Sequence, residues 1–205
     1  MFTLFGSEIN NYHRVTPKVA GTVSNTRCKS ASLFGPTNAV LDSTTDDAEG
    51  LITFLRGLDY FDYDGDCNLT ETRDNPLGDI YHSQLVVVGA PSAEDSFISA
   101  NQEAYFRKVN NYKAFAQQYA QRREIIYAGS NSGILHAFDS STGKEIWGFV
   151  PPLIAPNLPK VMNASLNMSK GGTNAMFGVD GSIVIHDMYF KSPLKNSKGW
   201  HTILF

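Results

Sequence analysis

One acidic segment of the sequence has side chains of the right type and spacing to hold a metal ion. Five oxygen-bearing residues follow closely on one another: Asp62, Asp64, Asp66, Asn68 and Glu71. Alternating carboxylates in a tight loop converge on one point, where they repel one another unless a cation neutralises them. A hard cation such as Ca²⁺ takes about 6–8 oxygen ligands in flexible geometry. The sequence therefore predicts a Ca²⁺ site formed by these five residues.

The start of this segment matches the calcium loop of an EF-hand, in which aspartates occupy alternate positions. The rest departs from that motif. Cys67 stands at the position of the glycine, and Arg73 stands at the position of the bidentate glutamate. Glu71 is near enough in sequence to supply the last ligand if the loop is shorter than that of an EF-hand. The alternative interpretation is an acidic, solvated turn that holds no ion.

The chain has two cysteines, Cys28 and Cys67, and neither lies in a Cys-x-x-Cys motif. This spacing argues against a zinc site and against a thioredoxin-like redox centre. Two cysteines form a disulfide in an oxidising compartment and remain separate thiols in a reducing one. The sequence leaves both alternatives open.

Two other stretches imitate catalytic motifs. Asp79, His82 and Ser83 lie close together, but nothing else supports nucleophilic catalysis, so a turn that leads into a strand is favoured. The stretch 129–133 has the outline of a nucleophile elbow, yet its middle residue is Asn131 rather than serine. We therefore expect that the protein is not an enzyme.

The elements that must position these residues are mainly strands. Residues 124–150 predict three short strands joined by two tight turns, at 130–133 and 139–143, where glycine, asparagine and aspartate are concentrated. Pro151 ends the third strand because proline cannot donate to a ladder. A meander of this size cannot bury both faces by itself, so it requires further strands.

The rest of the chain predicts helices, strands and one irregular region. Apolar spacing and turn residues predict two helices, a buried strand, a hairpin with an Asp180-Gly181 turn and a last strand. These elements cover residues 46–56, 101–122, 85–91, 176–190 and 199–205 respectively. Residues 1–45 show weak periodicity and are predicted to be irregular.

Composition bounds the function classes. The chain has 205 residues, 42% of them hydrophobic, and a net charge of −3. A nucleic-acid-binding surface would need a basic patch, which this charge does not indicate. No apolar run reaches the length of a membrane-spanning segment. The N-terminus also lacks the basic and apolar regions of a secretory signal.

Residues 127–147 resemble the blade repeat of quinoprotein-type β-propellers. The matching residues are Tyr127, Gly129, Gly133, Leu135, Ala137, Phe138, Asp139, Thr142, Gly143, Lys144 and Trp147. The resemblance implies a mainly β fold with inserted helices, a partial β-propeller of quinoprotein-like blades. A propeller needs about four or more blades, and the sequence ends within a predicted strand, so we expect it to be truncated at the C-terminus.

The order of motifs along the chain resembles the β-propeller domain of the PilY/PilC family of type IV pilus proteins. The motifs are 51–57, the acidic loop, 77–83, 88–89, the helix at 112–122, 127–138, 179–182 and 200–204. The resemblance implies an irregular segment at 1–45 and a partial PilY-type propeller at 46–205.

The family resemblance also implies a function and a location. It implies a secreted, fimbrial adhesin at the pilus tip, cell surface or outer membrane of a Gram-negative bacterium, which supports pilus assembly, twitching motility and attachment. The implied partners are minor pilins and host or abiotic surfaces. In the family, calcium binding by the propeller regulates these functions. The best-known calcium loop of the family is absent from this sequence, and the acidic loop resembles an extra acidic segment of some members.

Two other function classes remain. The blade repeat is shared with pyrroloquinoline-quinone-dependent dehydrogenases, which need an ordered set of carboxylate, arginine and tryptophan around the cofactor. The sequence shows no such set. The second alternative is a ligand-free propeller scaffold, as in outer-membrane assembly proteins.

Overall fold

The protein is described by a computed structural model that covers residues 48–96, 101–163, 172–192 and 197–205. The predicted irregular segment at 1–45 lies outside these ranges. Within them the chain is mainly β, with two antiparallel sheets and a few short helices. None of the helices in the described ranges has the length and apolar character needed to cross a membrane.

The elements follow one another in a simple order. The helices are α1 (Ala48–Leu55), α2 (Gln102–Val109), α3 (Tyr112–Gln118) and a 3₁₀ helix (Pro152–Val161). The strands are β1 (Val86–Val88), β2 (Ile125–Gly129), β3 (Leu135–Asp139), β4 (Glu145–Phe149), β5 (Ile185–Lys191) and β6 (Lys198–Leu204). The first sheet has the order β1-β2-β3-β4, and β5 pairs with β6 in the second.

The predicted meander at 124–150 is confirmed, together with both of its turns. Gly133 and Gly143 adopt φ values of +78° and +67°, which a residue with a side chain rarely adopts. In the second turn the Gly143 amide donates to the Asp139 carbonyl at 2.8 Å. The Asp139 carboxylate accepts from the amides of Ser141 and Thr142, as expected for an aspartate that begins a turn.

The structure corrects one helix prediction and one strand prediction. The single helix expected at 101–122 is two helices, because Asn111 takes a left-handed conformation with φ of +55° and interrupts the hydrogen-bond ladder. Asparagine tolerates this conformation better than most residues. The strand expected at 85–91 is confined to 86–88. Val88 is buried but Val87 is 56% exposed, so the strand is only partly buried.

The hairpin expected at 176–190 is also wrong in its pairing. Strand β5 pairs with β6, in a register that runs from Ile185 opposite Leu204 to Lys191 opposite Lys198. Residues 172–179, which precede the Asp180-Gly181 pair and are described by the structure, form no strand. Instead, the Met176 amide donates to the Asn131 carbonyl, so this segment is held by the first turn of the meander.

The chain divides into two compact units. Among the described residues, unit one comprises 48–83, 129–136, 147–163 and 172–181, and unit two comprises 84–96, 101–128, 137–146, 182–192 and 197–205. The core of unit one is formed by residues from α1, the acidic loop, the first turn and the 3₁₀ helix: Leu51, Phe54, Leu55, Tyr60, Phe61, Ile134, Val150, Leu158, Val161 and Met162. Two of these core residues, Tyr60 and Phe61, belong to the acidic loop, so their packing fixes the position of the loop on the core.

Unit two is organised around a buried tyrosine. Tyr112 is 1% exposed, and its ring lies edge-on to Trp200 at 4.9 Å between centroids. Its hydroxyl donates to the Asp187 carboxylate and accepts from the Ala93 amide. Burial and the hydrogen bond to Asp187 raise the pKa of Tyr112 to about 12, so the hydroxyl keeps its proton at neutral pH.

Candidate metal centre

The two ends of the acidic loop are held together by main-chain hydrogen bonds. Helix α1 ends before Gly57, whose φ of +87° turns the chain sharply. Leu58 then forms an antiparallel bridge with Thr72, and the Asp59 amide donates to the Glu71 carbonyl at 2.9 Å. Residues 58–72 therefore form a loop whose two ends are held together.

The first carboxylate cluster consists of Asp62, Asp64 and Asp66. Each residue places one carboxylate oxygen within 4.8 Å of the oxygens of the other two. Asp62 is buried, whereas Asp64 and Asp66 are exposed to solvent. The structure thus brings together three of the five predicted ligands, on a surface that an ion can reach.

The second cluster shares one member with the first. Asp59, Asp64 and Glu71 also place carboxylate oxygens within 4.8 Å of one another. Glu71 therefore groups with Asp59 rather than with Asp62 and Asp66, and Asp59 was missed by the sequence analysis. Its only sequence signal was its place in the acidic run, since the bridge that sets it opposite Glu71 is a feature of the fold.

The fifth predicted ligand, Asn68, lies beside the second cluster. Its side-chain nitrogen donates to Glu71 Oε2 at 3.2 Å, and its side-chain oxygen accepts from the Thr70 hydroxyl at 2.7 Å. The side-chain oxygen of Asn68 is therefore engaged within the loop. Its link to Glu71 holds that carboxylate in place.

The backbone of the loop matches the EF-hand motif at the position of the motif's glycine. Cys67, at the position of the glycine, adopts φ of +63°, and Asp62 and Gly65 are also left-handed. A non-glycine residue in this conformation costs about 1–3 kcal/mol unless its surroundings hold it. The Cys67 amide donates to Asp62 Oδ1 at 2.8 Å, which fixes the turn around the first cluster. Cys67 is also disulfide-bonded; its predicted partner Cys28 lies outside the described residues.

The carboxylates of the second cluster are electrostatically strained. Burial, together with the neighbouring Asp64 and Asp62, raises the pKa of Asp59 despite the hydrogen bonds from the Tyr63 amide. Desolvation and the charges of Asp66, Asp64 and Asp59 raise the pKa of Glu71. A bound cation would reverse both effects, because it favours the ionised form of each carboxylate.

Arg73, at the position of the EF-hand glutamate, has a structural role. It is 3% exposed, and its guanidinium lies 4.0 Å from the centre of the Phe54 ring. It donates to the carbonyls of Phe54, Leu58, Asn75 and Pro76. One of these, the Phe54 carbonyl in the last turn of α1, also accepts from the Gly57 amide, so Arg73 adds a second donor at the end of the helix. Burial lowers the pKa of Arg73 to about 10, so it stays charged at neutral pH.

The residues that imitate a catalytic set are each bound elsewhere. His82 Nδ1 lies 3.0 Å from Asp180 Oδ2, and the Ser83 hydroxyl accepts from the Gly129 amide at 2.9 Å. The Asp79 carbonyl accepts from the Asn131 amide. These contacts tie the segment to Asp180 and to the first turn of the meander, as a structural turn requires.

Comparison with known proteins gives clear relatives. A type IV pilus biogenesis factor PilY1 homolog of Xylella fastidiosa is 36% identical over 132 residues, which are 64% of this chain and 9% of the relative. Type IV pilus biogenesis factor PilY1 of Pseudomonas aeruginosa UCBPP-PA14 is 34% identical over 128 residues, 62% of this chain and 10% of the relative. The PilY1 protein of Pseudomonas aeruginosa PAO1 is 32% identical over 133 residues, which are 65% of this chain and 10% of the relative. No protein-family model and no solved structure matches.

These relatives are type IV pilus biogenesis factors, and they confirm the resemblance to the PilY/PilC family. Over about 64% of its length the chain is homologous to proteins named PilY1. The chain spans about a tenth of the length of the curated relatives it matches.

Proposed function

We propose that this chain is part of a protein that supports type IV pilus biogenesis and tip-associated adhesion at the surface of a Gram-negative cell, without catalysis. The homology to PilY1 carries the proposal. Minor pilins and the surfaces to which the pilus attaches are the proposed partners. The bound catalytic look-alikes at 79–83 are compatible with this non-enzymatic role.

The proposed architecture is a partial propeller over residues 46–205. Four strands that neighbour one another in chain order, as β1 to β4 do, are what one propeller blade requires. The β5–β6 hairpin would then supply the first strands of a second blade.

We further propose that the acidic loop binds Ca²⁺ and that calcium modulates the pilus function. Support comes from two carboxylate clusters that share Asp64 and from the raised pKa values of Asp59 and Glu71. An irregular loop with main-chain and side-chain oxygens suits the flexible coordination of Ca²⁺ better than the strict octahedron of Mg²⁺.

Thermal melts of the chain in calcium and in chelator test the site. Ligand at about a hundred times its dissociation constant stabilises the folded state by about 2.7 kcal/mol. Asp64→Asn removes a ligand from both clusters and should abolish the difference between the two buffers. Asp74→Asn is the matched control, because Asp74 is exposed and belongs to neither cluster. Equal melting temperatures of the wild-type chain in both buffers would identify the loop as a solvated acidic turn.

A complementation experiment tests the cellular role. The full-length protein, with and without Asp64→Asn, is returned to a strain that lacks it, and surface pili and twitching motility are measured. We expect the wild-type gene to restore both, and Asp64→Asn to alter their calcium dependence. If a deletion strain keeps normal pili, motility and attachment, the proposed function is wrong.

A further inference from the structure

Unit two contains a cleft of about 660 Å³ between helix α2 and strand β5. One wall is formed by Glu103, Phe106 and Arg107, and the other by residues 186–189, with Trp200 beside them. Small-molecule sites usually measure about 300–1,000 Å³ and combine aromatic walls with a few polar groups. The cleft has that size and that composition.

Three aromatic rings give the cleft an apolar surface. Phe106 lies 6.0 Å from both Tyr189 and Trp200, and Tyr189 lies 5.4 Å from Trp200, between ring centroids. The indole of Trp200 is held by a 2.9 Å hydrogen bond to the Asn110 carbonyl. Phe106 nevertheless remains 48% exposed. The rings therefore form a fixed aromatic surface that is open to solvent.

The charged groups of the cleft already have hydrogen-bond partners within the protein. Arg107 donates to Glu103 at 2.8 Å and also to the Glu94 carbonyl. Asp187 accepts from Tyr112 and from the Thr202 hydroxyl. A charged ligand would have to displace one of these partners. A wholly apolar ligand would desolvate the Glu103–Arg107 pair without replacing its water, which is unfavourable.

We propose that this cleft binds a neutral saccharide. A sugar ring has an apolar C–H face, which packs on the rings of Phe106 and Trp200, and a rim of hydroxyls, which hydrogen-bond to the Glu103–Arg107 pair. It carries no charge to disturb that pair. The proposal goes beyond the function proposed above and would give its adhesive part a chemical target.

Tryptophan fluorescence can report binding directly. The chain has two tryptophans, so Trp147→Phe leaves Trp200 as the single indole. Titration of this variant with cellotriose and with triacetylchitotriose should give a saturable change in emission with at least one of them. Phe106→Ala should weaken that binding by about tenfold, as expected for loss of one aromatic contact. Tyr105→Ala is the matched control, since Tyr105 is 52% exposed on the same helix but does not line the cleft.

Several outcomes would overturn the proposal. If neither trisaccharide changes the emission of Trp200 at millimolar concentration, the cleft is not a saccharide site. Binding only of an apolar dye such as anilinonaphthalene sulfonate would show an apolar docking surface instead. Glu103→Gln provides a second variant that should leave the fold intact, because the Glu103 side chain is 80% exposed. It should weaken saccharide binding severalfold, and unchanged affinity would exclude the assigned polar contact. Failure here leaves the pilus complementation result untouched.

Discussion

The acidic loop of unit one and the second turn of the meander in unit two both place aspartates near an arginine, yet they use the arginine in opposite ways. The Ser141 hydroxyl, Arg123 and two amides donate to the Asp139 carboxylate, so its pKa is held well below the usual range. Arg73 gives its hydrogen bonds to main-chain carbonyls, and the pKa of Asp59 is raised. A carboxylate satisfied by protein donors stabilises a turn, whereas carboxylates left facing one another favour an external cation.

Removal of the Arg73 guanidinium should have the largest effect. Arg73→Met keeps the apolar stem but removes a buried guanidinium that donates to four main-chain carbonyls and packs on the Phe54 ring, and we expect a loss of about 2–4 kcal/mol in the free energy of unfolding. Chemical denaturation measures this loss. Arg56→Met is the control, because Arg56 is exposed and its loss should change stability by less than about 0.5 kcal/mol. Equal effects of the two variants would mean that Arg73 does not hold the end of α1.

The contrast between the two loops can be tested by replacing one aspartate of each loop with the uncharged asparagine. Asp139→Asn removes the partner of Arg123 and should lower the melting temperature by several degrees. Asp64→Asn, measured in chelator, should leave the melting temperature unchanged or raise it, because it relieves repulsion within both clusters. The two variants should thus differ in sign, and a fall of similar size in both would refute the comparison.

Asp59→Asn tests whether the cluster missed by the sequence analysis takes part in binding. The variant removes a buried charge whose pKa is raised by desolvation and by the neighbouring aspartates, so the calcium-free protein should be at least as stable as the wild type. The melting-temperature increase caused by calcium should fall at the same time. An unchanged calcium effect would restrict the ion to Asp62, Asp64 and Asp66.

The pH dependence should be the smallest effect and should have opposite signs in the two regions. A raised carboxyl pKa means that the folded state binds protons more tightly than the unfolded state. Calcium-free unit one should therefore lose stability as pH rises from about 4 through the raised pKa values of Asp59 and Glu71. The lowered pKa of Asp139 stabilises its turn above about pH 4, and this contribution is lost on acidification. Residue-resolved hydrogen exchange between pH 3 and 6 can separate the two trends.

The sequence predicted features that depend on local chemistry. The strands and turns of 124–150 follow from Gly133, Gly143 and Asp139, whose preferences act within a few residues. The alternating aspartates predicted the first carboxylate cluster for the same reason. The calcium ligand set itself stays a prediction.

Features that depend on contacts between residues far apart in the chain were not predicted from the sequence. The Asp180-Gly181 pair is a strong hairpin signal, but a side chain at Gly129 would meet the Val179 carbonyl at 1.8 Å, so the chain before that pair lies against the first turn. The spacing of apolar residues over 101–122 is helical on both sides of Asn111. This spacing therefore does not reveal the break between α2 and α3, which depends on the left-handed conformation of Asn111. Asp59 required the Leu58–Thr72 bridge, which joins residues from the two ends of the loop.

The pairing of β1 with β2 has a consequence for the order of folding. Strands β2, β3 and β4 are joined by short turns, and hairpins of this kind form in about 1–10 μs. Val88 pairs with Ile125 across the whole insertion that contains α2 and α3, so its loop-closure entropy is larger. We therefore expect β1 to join the sheet last and to open first. Its amides at Val86–Val88 should exchange with solvent deuterium faster than those of β3.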